Sequence, residues 1–218
     1  INLQSITIPT SVTSIYDGLL SDCHNLQSII IPVSVRAIPS FAFSFCTSLK
    51  SITIPKSITF IGSSAFENCF NLASITIPTS VTMIENHALK DCCNIRSIII
   101  PASVTSISDF MFSGCSNLES ITIPTSVKSI GDSAFHNCGK LTSIMIPSSV
   151  TFIGSYAFSN CYNIRSFTMP TSVTSIDNTI FNDCRNLYSL VLPSLFHTND
   201  EMTLFKLYLM DINRCLTL

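Results

Sequence analysis

The residues best equipped for chemistry in this 218-residue chain are its ten cysteines. Eight of them, Cys23, Cys46, Cys69, Cys92, Cys115, Cys138, Cys161 and Cys184, follow one another at a fixed step of 23 residues; Cys93 and Cys215 stand outside it. So many thiols raise three possibilities: a disulfide framework, a metal site, or core packing. Tetrahedral ligation needs convergent ligands, and no C-x-x-C pair occurs. Cysteines at one phase of a stacked repeat would come within the disulfide Cα range of about 4.4–6.8 Å, but their side chains would run parallel, with the wrong torsion for a bond. The spacing therefore predicts a column of reduced, buried thiols acting as small apolar groups. Cys93, which faces differently from that column, is the expected exposed thiol.

The remaining reactive types do not assemble. His24, His87, His136 and His197 fall at four different phases of the same step, so they share no face. Serine is abundant, yet neither a G-x-S-x-G elbow nor a glycine-rich phosphate loop is present. No nucleophile, base and orienter converge. The expectation is a chain with no catalytic residues, no metal site and no cofactor.

Composition narrows the class. The chain is 46% hydrophobic and 11% charged, with formal net charge −2 and mean hydropathy +0.47. Abundant apolar residues and low net charge exclude a disordered polymer. Eleven Lys+Arg against thirteen Asp+Glu leave no basic excess for nucleic acid. Every apolar run is interrupted by Ser, Thr, Asn or Pro well short of the ~20 residues a bilayer span needs, so no transmembrane segment is expected. The chain opens on Ile1-Asn2-Leu3, without Met or a basic-then-apolar leader, which reads as a processed, trimmed or internal start.

What positions these residues is the repeat. Pro9, Pro32, Pro55, Pro78, Pro101, Pro124, Pro147, Pro170 and Pro193 keep the same 23-residue step, and Pro39 alone is out of register. One unit begins Leu118-Glu119-Ser120-Ile121-Thr122-Ile123-Pro124. Its alternation turns Ile121 and Ile123 inward and Ser120 and Thr122 outward, as in a strand, and Pro124 ends the ladder. Val127 and Ile130 turn inward on the next side of the coil. Gly131, like Gly62 and Gly154, is expected to permit the bend. Ala134, Phe135 and Cys138 follow at near-helical spacing and suggest one short helical turn. A unit of this size cannot bury its own apolar edge, so copies must stack, Leu on Leu, Ile on Ile and Phe on Phe. Nine strands at about 4.8 Å would form one parallel sheet on the order of 40 Å long. The recurring Asn before the strand, as at Asn71, Asn94, Asn117 and Asn163, is expected to satisfy turn backbone groups between coils.

The pattern L-x-x-I-x-I-P followed by S-V-T-S-I-G-x-x-A-F-x-N-C, seen at Leu118–Cys138 and Leu141–Cys161, resembles the BspA-like, or treponemal-type, leucine-rich repeats. The resemblance covers about residues 1–193. It implies a repeat solenoid: a leucine-rich-repeat-like right-handed coil with a parallel β-sheet on one face and short turns or helical turns on the other. It also implies a cell-surface or secreted protein, since members include surface proteins of bacteria and protist parasites, some of them adhesins for host proteins. Departures are few. Leu19-Leu20 and Ala88-Leu89 replace the Ala-Phe pair, and the phase is lost after Pro193. Residues 194–218 retain Leu204-Phe205-Lys206-Leu207-Tyr208-Leu209 out of step and read as a degenerate C-terminal cap or a tail.

Three positions per coil point outward from the expected sheet. The middle one is Ser in all nine copies, from Ser5 to Ser189. The first varies, and the third is Thr except at Ile30, Ile99, Met145 and Val191. The candidate partner surface is therefore Ile30, Lys50, Arg96, Ile99, Met145, Arg165 and Tyr188. Its cations, set against aspartates on the turn side, suit a host or cellular protein partner with an acidic, partly apolar surface. An intracellular scaffold, in a cytoplasm that keeps thiols reduced, is the alternative. Ice binding through the Ser/Thr columns is a remote third, because the apolar residues break the array.

Overall fold

The structure, a computed structural model, describes residues 2–193. The expected cap or tail at 194–218, with His197 and Cys215, lies outside the described residues. Within them the chain winds into a parallel β-solenoid of stacked 23-residue coils, with no helix among the described residues. One face carries three-residue strands at Ser5–Thr7, Ser28–Ile30, Ser51–Thr53, Ser74–Thr76, Ser97–Ile99, Ser120–Thr122, Ser166–Thr168 and Ser189–Val191. Wherever two of these pair, they are parallel and in repeat register, with Ser on Ser and apolar residue on apolar residue.

The sheet is less continuous than the repeat predicts. These strands are hydrogen-bonded two by two, and no strand forms around Ser143. Neighbouring pairs touch without a regular ladder. Each strand is only three residues long, and the proline two residues beyond it has no N–H to give, so a small offset removes the bonds between pairs. A second face, not anticipated, carries two-residue strands. Ala37–Ile38, Phe60–Ile61 and Met83–Ile84 form one parallel ladder; Ser106–Ile107, Ser129–Ile130 and Phe152–Ile153 form another.

The third side corrects the expectation of a helical turn. Between Gly131 and Cys138 the chain makes successive tight turns. Ala134 N–H donates to Gly131 O (3.4 Å), His136 N–H to Ser133 O (3.0 Å) and Cys138 N–H to Phe135 O (3.2 Å). The N–H groups between these, on Ser133, Phe135 and Asn137, reach the next coil instead, meeting Ser155, Ala157 and Ser159 carbonyls at 2.8 Å each. A helix would aim all of them along its own axis; here alternate donors run along the stack and bind coil to coil.

That path needs left-handed residues at Ser133 (φ 51°) and Asn137 (φ 60°). The same two phases are left-handed in other coils, at Phe41, His87, Phe110 and Tyr156 and at Asp22, Asn68, Asp91 and Asn160. Asp and Asn tolerate this conformation, whereas an aromatic there costs on the order of 1–3 kcal/mol. The inter-coil bonds on both sides hold it in place. Gly62, Gly131 and Gly154 are not the left-handed residues. They allow close approach: a Cβ on Gly131 would lie 2.7 Å from the Asp109 nitrogen, and one on Gly154 would lie 2.6 Å from that of Asp132.

The interior is a set of columns. Phe112, Phe135 and Phe158 stack with ring centroids 5.5 and 5.4 Å apart, and Phe43 stacks on Phe66 at 5.3 Å. Leu89 interrupts this column between Phe66 and Phe112 and is equally buried. Phe167 replaces the strand isoleucine and fits edge-on against Phe181 at 4.8 Å. Full burial of each such side chain contributes about 1.5–3 kcal/mol before entropy, so stability is spread along the stack.

Candidate interaction surface

The sheet face is built from the short strands and the residue before each. Inward Ile and Leu lock the strand, which fixes its outward neighbours as columns. All seven residues singled out from the sequence are solvent-exposed on this face. Ile30, Ile99, Met145 and Tyr188 are 62, 70, 85 and 63% exposed. They do not form one contiguous apolar patch. Ile30 stands beside Thr7, and Ile99 beside Thr122. Arg165 and Tyr188 are on adjacent coils, joined by a Tyr188 N–H to Arg165 O bond of 3.0 Å. Val191, next to Thr168 in the ladder, adds an exposed apolar group at the same end.

The charges segregate around the coil far more completely than the outward strand positions alone indicate. Among the described residues the turn side holds Asp17, Glu85, Asp109, Asp132 and Asp177 in its first half, and Asp22, Glu67, Asp91 and Asp183 in its second. Its one cation is Lys90, paired with Glu67 at 2.8 Å and near Asp91 at 3.8 Å. The rest of the coil holds Arg36, Lys50, Lys56, Arg96, Lys128, Lys140, Arg165 and Arg185, against Glu119 alone. Of these, only Arg185 has an ion-pair partner among the described residues, Asp183 at 3.5 Å.

Several turn-side carboxylates also hold backbone. Asp109 Oδ1 accepts the Asp132 N–H and Asp132 Oδ1 accepts the Ser155 N–H, each at 2.9 Å. Asp17 Oδ1 accepts the Ser40 N–H at 3.1 Å. One oxygen is used between coils, which fixes the charge in place.

The thiols are structural. Nine of the cysteines are free, and all are buried except Cys93, which is half-buried. Each thiol from Cys46 onward in the column donates to a carbonyl 26 residues back, as Cys138 Sγ does to Phe112 O at 3.2 Å. Burial pushes the Cys46 and Cys184 thiols up to about 12 and the fully buried Cys92, Cys138 and Cys161 well above the usual range. Such thiols are poor nucleophiles.

The three described histidines lie apart. His24 Nδ1 lies 3.0 Å from Phe45 O, His87 stacks on Phe110 at 4.7 Å, and His136 Nδ1 is buried with no partner. Among the described residues no group of three His, Cys, Asp or Glu is arranged to hold a metal ion. No described helix is long and apolar enough to cross a membrane. The asparagine expectation holds in part: Asn71 Nδ2 donates to Thr47 O and Asn163 Nδ2 to Gly139 O, both at 2.8 Å, whereas Asn94 and Asn117 donate to the side-chain oxygens of Asn71 and Asn94.

Two surface features went unread in the sequence. The second face exposes Met83 and Phe152, and Met83 lies beside Phe60 in the ladder. The turn side exposes Tyr16, Leu19, Phe41 and Tyr156. The signal was the same as on the sheet face, an apolar residue at a phase that other copies mostly fill with small or polar residues.

Comparison with known proteins agrees with this architecture. A leucine-rich repeat protein from Bacteroides ovatus is 29% identical, with a TM-score of 0.74 over 89% of this chain and 56% of that one. A leucine rich cell surface protein from Faecalibacterium prausnitzii is 28% identical, with a TM-score of 0.62 over 99% of this chain and 64% of that one. A leucine rich repeat protein from T. pallidum is 26% identical, with a TM-score of 0.51 over 88% of this chain and 71% of that one. The chain thus spans less than two thirds of the length of the first two. No curated protein matches it. The family model for the BspA type leucine rich repeat region matches six copies over residues 1–96 and 84–207, and the chain belongs to that family.

Proposed function

We propose that the chain is a non-enzymatic protein-interaction module of a cell-surface protein, binding a host or other cellular protein through its sheet face. The carrying observation is variation against constancy. Ile30, Lys50, Arg96, Ile99, Met145, Arg165 and Tyr188 depart from a bland Ser/Thr exterior while the inward residues beside them stay apolar. Arg and Tyr are enriched at binding hot spots. Lys50, Arg96 and Arg165 have no carboxylate partner among the described residues, so a partner with an acidic, partly apolar surface would supply one. Surface location draws support from the Faecalibacterium relative, which is described as a cell surface protein. An intracellular scaffold is the second reading, favoured by the column of free thiols. Burial weakens that preference, because thiols this inert persist in either compartment.

The test is a binding assay against candidate host and cellular proteins. Arg96→Glu/Arg165→Glu should weaken binding about tenfold or more, as loss of central charged contacts does, while Asp132→Lys on the turn side should leave it intact. Binding that survives the arginine pair and is lost on the turn-side change rejects the sheet face.

A further inference from the structure

The partner chemistry just described, acidic and partly apolar, is displayed by this chain itself. Among the described residues its turn side carries nine carboxylates against the single Lys90, and exposes Tyr16, Leu19, Phe41 and Tyr156. Among the described residues the sheet face carries Lys50, Arg96 and Arg165 against Glu119, and exposes Ile30, Ile99, Met145 and Tyr188. We propose that the turn side of one copy docks on the sheet side of a second copy, so that the protein self-associates laterally. The inference rests on the sheet side being the interaction surface and names one occupant for it.

Three observations favour a second copy over an unrelated polyanion. First, the complementarity is double: charge opposes charge and each face adds exposed apolar side chains, which a polyanion would leave uncovered. Second, the columns on both faces advance by the same coil-to-coil step. Two parallel copies therefore stay in register along their length, at about 4.8 Å per coil. Third, the acidic charges are anchored. Asp17, Asp109 and Asp132 each spend one oxygen on a backbone N–H of the next coil, whereas Lys50, Arg96 and Arg165 have no ion-pair partner among the described residues. Anchored anions lose little order on docking, and the cations give up no existing ion pair. A face roughly 40 Å by 20 Å offers on the order of 800 Å2 per partner, the size of a standard specific interface.

The two faces differ, so the contact is heterologous. Each copy offers one face to each neighbour, and association propagates instead of stopping at a dimer. Because the charges are exposed, salt weakens it: the Debye length is about 10 Å at 0.1 M and about 3 Å at 1 M.

The experiment is sedimentation velocity on the whole chain, at a pH well above the isoelectric point. Wild type should form higher species in about 0.02 M salt and dissociate at about 0.5 M, with apparent affinity falling about tenfold or more. Arg96→Glu/Arg165→Glu and Asp109→Lys/Asp132→Lys should each abolish association alone. An equimolar mixture of the two should restore it, since each reversed face then meets its complement. Asp109→Asn/Asp132→Asn keeps the backbone acceptors, as Asn86 does at the same phase, and should weaken association without lowering the melting temperature. This arm keeps the test decisive if the lysine variant fails to fold.

Wild type that stays monomeric in low salt overturns the proposal, and so does salt-sensitive capture of heparin without self-association. Association that is lost with the arginine pair but unaffected by either turn-side variant overturns the docking on the turn side and leaves the sheet face standing as an interaction surface. A mixture of the two reversed variants that remains monomeric overturns it as well.

Discussion

Cys69 donates its thiol to the carbonyl oxygen of Phe43 at 3.1 Å, and the same oxygen accepts the Cys46 N–H at 3.1 Å. One acceptor therefore closes a turn in its own coil and receives the side chain of the next. The pairing repeats at Cys92 with Phe66, Cys138 with Phe112 and Cys161 with Phe135. A thiol fits because it is apolar enough for the core and still a weak donor.

The column should be chemically silent in the native protein. Thiol titration should find Cys93 reacting first among the described cysteines, since it is the one not fully buried. The column from Cys46 to Cys184 should react only after denaturation, because burial holds those thiols far from ionisation at neutral pH. A native mass revealing several intramolecular disulfides would refute this.

Position along the stack should govern the cost of core truncation. Ile52 is buried between coils, while the equivalent Ile6 sits in the first coil and is only half-buried. Ile52→Ala should cost about 2–5 kcal/mol, and Ile6→Ala half of that or less. Phe135→Ala, in the middle of the ring column, should cost about 3–5 kcal/mol. Equal losses for Ile52 and Ile6 in chemical denaturation would contradict a stack with distributed stability.

The stack was legible because Pro, Cys, Leu and Phe share one period, and a shared period leaves few ways to bury the apolar edges. The turn side was not legible. Ala134, Phe135 and Cys138 have helical spacing, but spacing cannot reveal that Ser133 and Asn137 turn left-handed. Nothing in the types Phe41 or Tyr156 announces a positive φ; the ladder between coils imposes it. The second face escaped notice because a two-residue strand such as Ser129–Ile130 shows no alternation. The seven outward residues were legible as columns. What they bind was not, because exposed positions carry no packing constraint that would encode a partner.

A serine ladder after the proline gives a prediction with opposite signs in two coils. Ser126 Oγ donates to Val104 O at 2.7 Å, and Ser80 and Ser149 bond in the same way. Ser57, at the equivalent phase, buries its hydroxyl with no partner. Ser126→Ala should destabilise by about 1 kcal/mol, whereas Ser57→Ala should be neutral or stabilising by about 1 kcal/mol, since it removes an unsatisfied group. Equal destabilisation in both coils would show that Ser57 has a partner after all.

His136 supplies the pH dependence. Burial of the imidazole holds its pKa below the ordinary value, and the nearby Asp91 carboxylate only partly opposes this. An unfolded imidazole titrates near about 6.5. Between the lowered folded value and about 6.5 the unfolded chain binds the proton and the folded chain does not, so stability must fall as pH drops through that window. Asp91 shifts the other way, its carboxyl raised chiefly by burial, so it opposes the histidine, and comparison with a variant lacking the imidazole separates the two. His136→Ser imports the residue found at the same phase in Ser113 and Ser159 and removes the titration. Urea midpoints measured across the window should slope downward toward acid in wild type and flatten in the variant. An unchanged slope would place the proton-linked group elsewhere in the coil.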